Sequence, residues 1–113
     1  ADLDIGLPAG TGDSGYLPAV DQLLHRLDSV AIRADMIVYN AGVDPHVEDR
    51  LGRLALSDSG LAARDEMVFE WARAHRKPPC LVLGGGYDRD VAVVAERHAH
   101  VFDRLYSAHK LRT

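Results

Sequence analysis

Three glycines and a tyrosine follow an apolar run in the stretch LVLGGGYDRD, residues 81–90. Such glycines can cradle a phosphate with their amides, form a tight turn that needs positive φ, or leave room beside a substrate that faces Tyr87. The stretch matches neither the GxGxxG dinucleotide fingerprint nor the GxxxxGK[ST] phosphate loop, and Asp88 and Asp90 would repel a phosphate. Phosphate binding is therefore disfavoured. The other two interpretations, a tight turn and space beside a substrate that faces Tyr87, both remain possible.

A second group of polar residues lies in the stretch YNAGVDPHVEDR, residues 39–50. Asp44 could form a local Asx turn or face an open crevice at the end of a strand. Asp44 and His46 have side chains that suit Zn²⁺, but two such residues occur together often by chance, so the pair alone does not predict a metal site. We interpret Asp49 and Arg50 as an ion pair that braces the loop.

These residues are positioned by three apolar runs that alternate with three segments of helical periodicity. The order predicts an α/β fold of the β-α-β-α-β-α type with parallel strands. The expected strands are residues 3–7 (LDIGL), 36–42 (MIVYNAG) and 79–86 (PCLVLGGG). The first helix is expected from Asp13 to about Arg33, with Asp13 or Ser14 as its cap.

The second and third helices are predicted by caps, prolines and apolar stripes. Ser57 is the expected N-cap of the second helix, which must end before the prolines of KPP at residues 77–79. The third helix is expected to bury a stripe that contains Val91, Val94, His98, Val101 and Leu105. Cys80 opens the third apolar run, and we expect it to be buried and inert.

The segment between the second strand and the second helix, residues 43–56, is unusually long. Most strand-to-helix connections span about 2–6 residues, and longer ones are often functional. Ligands of open α/β sheets bind beyond the carboxyl ends of the strands, where this loop and the glycine-rich stretch both begin. The sequence therefore predicts a site formed by the two loops together.

Composition excludes several classes of function. A formal net charge of -4 over 113 residues leaves no basic surplus with which to bind nucleic acid. No apolar run approaches the roughly 20 residues that a membrane span requires. The single cysteine excludes an intrachain disulfide and fits a reducing compartment, so we expect a cytoplasmic protein that binds neither nucleic acid nor membrane.

Three stretches, in this order, resemble the C-terminal half of the histone deacetylase superfamily. They are LPAGTGDSGYL (7–17), YNAGVDPHVEDRLGRLALSDSGLAARDEMV (39–68) and LVLGGGYDRD (81–90). The similarity is to the class IV-like branch and to bacterial acetoin-utilisation and acetylpolyamine amidohydrolase relatives. It implies the three-layer arginase/deacetylase fold, with residues 1–113 as the C-terminal portion of a catalytic domain. The start at Ala1, without Met, agrees with a cut inside a larger fold.

The resemblance also implies roles for five residues. Asp44 matches a zinc ligand, and Tyr87 matches the tyrosine that stabilises the oxyanion formed during hydrolysis of an acyl-amide. Gly85 and Gly86 match glycines beside the acyl channel, and Leu51 matches an apolar residue that lines it. The implied substrate is an acylated lysine or polyamine, and the implied cofactor is Zn²⁺ in the intact parent protein.

The family's other two zinc ligands and its general-base histidines belong to an N-terminal half that has no counterpart in these residues. A catalytic zinc needs three protein ligands, so we expect this segment alone to bind no Zn²⁺ stably and to be inactive. Two alternatives stay open, a non-catalytic binding or assembly module that retains part of the fold and an unrelated nucleotide-binding module. We also expect the segment to self-associate, most simply as a dimer, with the third helix as the candidate interface.

Overall fold

The computed structural model describes the backbone of residues 3–110 and the side chains of residues 3–108. These residues form two strands that pair in parallel, with Ile37 opposite Pro79 and Asn40 opposite Val82. The chain order is α1 (Asp13–Arg33), β1 (Ile37–Asn40), α2 (Asp58–Ala74), β2 (Pro79–Val82) and α3 (Val91–Lys110). The predicted α/β fold with parallel strands is confirmed.

The first two helices have the bounds that the sequence predicts. Ser57 caps α2, because its side chain accepts a hydrogen bond from the N–H of Gly60 over 3.0 Å. The cap of α1, by contrast, is Gly12 and not Asp13 or Ser14. The carboxylate of Asp13 instead accepts the N–H of Ser57 over 3.0 Å and its hydroxyl over 2.5 Å, and so joins the beginnings of the two helices.

The first apolar run, residues 3–7, is not a strand, and this prediction is wrong. Its side chains do alternate, with Leu3, Ile5 and Leu7 partly buried and Asp4 and Gly6 exposed. No ladder of hydrogen bonds joins this run to any other described residues. The alternation of residues in this run therefore reflects alternating burial of its side chains, and it does not indicate pairing in a sheet.

The core lies between one face of the two strands and the helices α2 and α3. It contains Ala41, Val43, Phe69 and Val101, and Tyr39 and Leu81 from the strands pack against it. Helix α2 contacts both α1 and α3. This arrangement places the carboxyl ends of both strands, and the loops that follow them, at one edge of the core.

The opposite face of the sheet is exposed. Val38, Cys80 and Val82 point to this face, which no other described element covers. The expected burial of Cys80 is therefore wrong, because the alternation of β2 directs the thiol away from the helices. Among the described residues, no helix is both long enough and apolar enough to cross a membrane.

The apolar stripe of α3 packs inward for most of its length. Val101 is buried, and Val94 and Leu105 pack against the core, whereas Val91 is 77% exposed. Most of the stripe therefore has partners within the chain, and the expected self-association through α3 stays a prediction. Exposed apolar side chains lie on the sheet face, at Val38 and Val82, and also on the helices, at Ile32 of α1 and at Phe102 and Tyr106 of α3.

Candidate active site

The two loops that follow β1 and β2 meet through their main chains. The N–H of Val43 donates to the carbonyl of Gly84 over 3.3 Å, and the N–H of Arg50 donates to the carbonyl of Tyr87 over 2.7 Å. Segment 43–56 and the glycine-rich stretch are therefore adjacent at the carboxyl ends of the strands. The structure confirms their predicted convergence.

Asp49 joins the two loops through its side chain. One carboxylate oxygen accepts the N–H groups of Leu51 and Gly52 over 3.0 and 2.8 Å, and the other accepts the N–H of Tyr87 over 2.6 Å. The expected ion pair with Arg50 is wrong, because Asp49 is buried and already bound to three amides. The order Asp-Arg-Leu-Gly, typical of a type I turn, was the signal that could have predicted this arrangement.

Leu51, Gly86 and Tyr87 line one open depression of about 300 Å³. Leu51 is 65% exposed and Tyr87 is 47% exposed, so both side chains are accessible to a ligand. The remaining lining residues are Arg50, Asp88, Val91 and Val94. The structure thus brings together three of the five residues to which the resemblance gives roles.

Gly85 links this depression to Asp44. Gly85 has φ +60°, and a Cβ placed on it would overlap the carboxylate of Asp44, which is partly buried beside the glycines. Gly86 has φ +98°, and a Cβ there would lie 2.7 Å from Val43 Cγ2 and 2.9 Å from Val94 Cγ1. Both glycines therefore satisfy the tight-turn interpretation, since side chains disfavour this conformation and have no room here.

His46 is a buried structural residue. The N–H of Glu48 donates to its Nδ1 over 3.1 Å, so Nε2 carries the hydrogen and donates to Asp58 over 2.8 Å. Both ring nitrogens are occupied, and neither is free to bind a metal beside Asp44. Within the described part of the chain, no three acidic, histidine or cysteine side chains are grouped as metal ligands. Asp44 alone does not meet the three-ligand requirement of a catalytic zinc.

A buried ionic cluster that the sequence reasoning missed lies behind the site. Asp65 accepts hydrogen bonds from Tyr39, Arg64 and Arg104. Burial and the charge of Asp65 raise the pKa of the Tyr39 phenol well above its ordinary value, despite the opposing charge of Arg64, so Tyr39 stays protonated and donates. Arg64 also donates to the carbonyl of Gly42 over 2.6 Å, which fixes the main chain two residues before Asp44.

Helix α3 reaches both loops through Arg97. Its buried guanidinium lies 3.5 Å from a carboxylate oxygen of Glu48 and 3.8 Å from one of Asp88. Nε2 of His98, the next residue of α3, lies 3.2 Å from the carbonyl of Gly85. His98 is partly buried, as the stripe predicts, but its Nδ1 is buried without a hydrogen-bond partner among the described residues. Helix α3 therefore contacts both loops.

Comparison with known proteins gives consistent matches. The family model described as "Histone deacetylase domain" matches residues 1–105. The chain is 41% identical to an uncharacterized protein of Picosynechococcus over 88% of this chain and 33% of the relative. It is 34% identical to histone deacetylase 2 of Arabidopsis thaliana over 82% of this chain and 24% of that protein. A probable deacetylase of Archaeoglobus fulgidus is 32% identical over 80% of this chain and 25% of its own length. The chain therefore spans a third or less of these relatives.

Proposed function

The chain belongs to the histone deacetylase family, and we propose that it supplies one side of the active site of a zinc-dependent deacylase. The reaction is hydrolysis of an acyl-amide of the acetyl-lysine or acetylpolyamine type. One observation carries the proposal: the two loops gather Leu51, Gly86 and Tyr87 around a single depression, and Gly85 connects them to Asp44.

Each residue has a chemical role in this proposal. The hydroxyl of Tyr87, on a half-exposed side chain, donates to the oxyanion that develops on the acyl carbonyl. Leu51 forms an apolar wall for the acyl chain, and Gly86 lies beside it in the same depression. Asp44 provides one metal ligand. A bound Zn²⁺ supplies Lewis acidity and lowers the pKa of water.

The remaining zinc ligands and the general base come, in this proposal, from residues outside the described segment. The described residues contribute Asp44 alone, so we expect that these residues by themselves neither retain Zn²⁺ nor turn over substrate. We place the activity in the cytoplasm, where reducing conditions would keep the exposed thiol of Cys80 free.

The test is an activity assay on the natural protein that contains this chain, expressed in full and loaded with zinc. We expect it to deacetylate an acetyl-lysine peptide or an acetylpolyamine, to lose activity with a chelator and to regain it with Zn²⁺. The isolated chain, assayed in parallel with added Zn²⁺, should be inactive. If the full protein binds zinc and releases no acetate from either substrate class, the proposal is wrong.

The lack of a three-ligand group in the described residues also favours a second candidate, a non-catalytic binding or assembly module. This candidate predicts that the full protein binds acylated ligands or partner proteins without hydrolysing them. Calorimetry of the full protein with acetyl-lysine peptide, run beside the acetate-release assay, separates the two. Binding with no release of acetate would support the module.

A further inference from the structure

We infer that Asp49 is the positioning residue of the site, which sets the place of Tyr87 relative to Leu51 by binding the main chain of both loops. This inference deepens the proposed function and rests on it for the catalytic consequence.

The geometry divides the carboxylate of Asp49 between the loops. Oδ1 accepts from Leu51 and Gly52 within its own loop, and Oδ2 accepts from Tyr87 in the other loop. The adjacent N–H of Arg50 donates to the carbonyl of Tyr87 over 2.7 Å. Both main-chain polar groups of Tyr87 are therefore bound to the dipeptide 49–50, while its side chain stays accessible in the depression.

A carboxylate is the side chain that this arrangement requires. An ionised carboxylate only accepts hydrogen bonds, and its two oxygens can serve three N–H donors on two sides. An asparagine has one accepting oxygen, so it can satisfy either the Leu51 side or the Tyr87 side. On the remaining side its NH₂ group would face an N–H donor. Asp49→Asn therefore removes the hydrogen bonding on one side, either to Leu51 and Gly52 or to Tyr87, with almost no change in side-chain volume.

The direct test is amide hydrogen exchange, followed by NMR, on the isolated chain. In Asp49→Ala we expect the protection of the Tyr87, Leu51 and Gly52 amides to fall roughly tenfold to a hundredfold, because hydrogen bonds to a charged group are lost. Amides in the middle of α2, such as that of the buried Val68, should keep their protection. In Asp49→Asn, protection should fall either for the Leu51 and Gly52 amides or for the Tyr87 amide, and not for both. Asp103→Asn is the control, since the exposed Asp103 has no polar partner among the described residues.

Two results would overturn the inference. One is unchanged exchange of the Tyr87 amide in Asp49→Ala. The other is retention of protection on both sides in Asp49→Asn. A uniform loss of protection that includes α2 would show that Asp49 only stabilises the fold, and this outcome also contradicts a positioning role.

Kinetics of the full zinc-loaded protein give the second readout. A misplaced Tyr87 weakens an interaction made only in the transition state, so Asp49→Asn should lower kcat with little change in KM. An equal effect on KM and on kcat/KM would contradict positioning of Tyr87. Failure of the proposed function would appear differently, as absence of turnover in the unmodified protein, and the exchange result would still stand by itself.

Discussion

The phenolic oxygen of Tyr39 lies 2.5 Å from a carboxylate oxygen of Asp65, a residue with no exposed surface. This contact joins β1 to α2, and two arginines complete the cluster around the same carboxylate. Arg104 on α3 donates to the other oxygen over 2.6 Å, and Arg64 reaches from the cluster to the carbonyl of Gly42. A single buried charge therefore ties three elements together directly behind the site.

Removal of that charge should be strongly destabilising. In Asp65→Ala the buried guanidinium of Arg64 loses its counter-charge, and breaking a buried ion pair in this way typically costs about 3–5 kcal/mol. Urea unfolding of the isolated chain measures the loss. The neighbouring Glu66→Ala is the control, since exposed substitutions usually change stability by no more than about 0.5 kcal/mol. Equal effects of the two substitutions would contradict the role of the cluster.

Stability should depend on pH through Asp13. The hydroxyl and then the N–H of Ser57 lower the pKa of the Asp13 carboxyl below its unfolded value of 3.8. A lowered folded pKa contributes stability that is present above 3.8 and is lost as the pH falls through the folded pKa. Asp13→Asn should therefore be less stable than the natural chain at neutral pH, and the difference should shrink on acidification.

Urea unfolding of both chains, in steps from neutral pH down to about pH 3, measures this difference. Asp35→Asn, at an exposed carboxylate, controls for the general effect of charge. A constant gap between the Asp13 variant and the natural chain across this range would show that the ionised form of Asp13 is not what Ser57 stabilises.

Gly86 should tolerate no side chain. Alanine there would adopt φ +98° and would crowd Val43 and Val94, so we expect Gly86→Ala to lose about 1–3 kcal/mol from strain alone. Gly6→Ala is the matched control, because Gly6 lacks positive φ and has open space around its Cα. Thermal unfolding compares the two variants. A Gly86→Ala variant as stable as Gly6→Ala would mean that the turn relaxes without cost.

The exposed sheet face predicts that the isolated chain self-associates. Val38 and Val82 lie on this face, and exposed strands and apolar patches recruit other chains, most simply in a two-fold dimer. Light scattering over a concentration series, with Cys80→Ser to prevent disulfides, should show a mass that rises towards a dimer. Val38→Lys should return the chain to a monomer, and Val91→Lys, at an exposed site on α3, should not. A constant monomer mass would contradict self-association.

The sequence predicted those features that depend on local chemistry. The bounds of α1, the Ser57 cap of α2 and the end of α2 before the prolines follow from periodicity and capping. The convergence of the two loops follows from parallel strand order. Each of these features depends on neighbouring residues or on a general rule of topology, and each is present in the structure.

Contacts between distant segments could not be predicted in this way. Tyr39 and Asp65 are separated by 26 positions, and Asp13 binds Ser57 across 44, and no local pattern encodes such pairs. The wrong predictions for Cys80 and Asp49 have the same cause. Strand character does not reveal which face of a sheet is covered, so the expected burial of Cys80 was wrong. Asp49 was paired with its neighbour Arg50, although its true partners include the main chain of Tyr87.

The roles of Asp44, Leu51, Gly85, Gly86 and Tyr87 stay predictions from the family resemblance. The described geometry supports them only in part, because Leu51, Gly86 and Tyr87 share a depression that Asp44 does not line. In the zinc-loaded protein, Asp44→Asn would test the ligand role through zinc content. The oxyanion role of Tyr87 is tested by rate.

The central claim is that the Tyr87 hydroxyl acts on the transition state of a deacylation. The most direct measurement is steady-state kinetics of Tyr87→Phe in the full zinc-loaded protein, with zinc content determined on the same samples. We predict that kcat falls by about 10²–10³, the usual cost of one oxyanion donor, while zinc content and KM change little. A variant that turns over at the natural rate with its full complement of zinc would contradict the account.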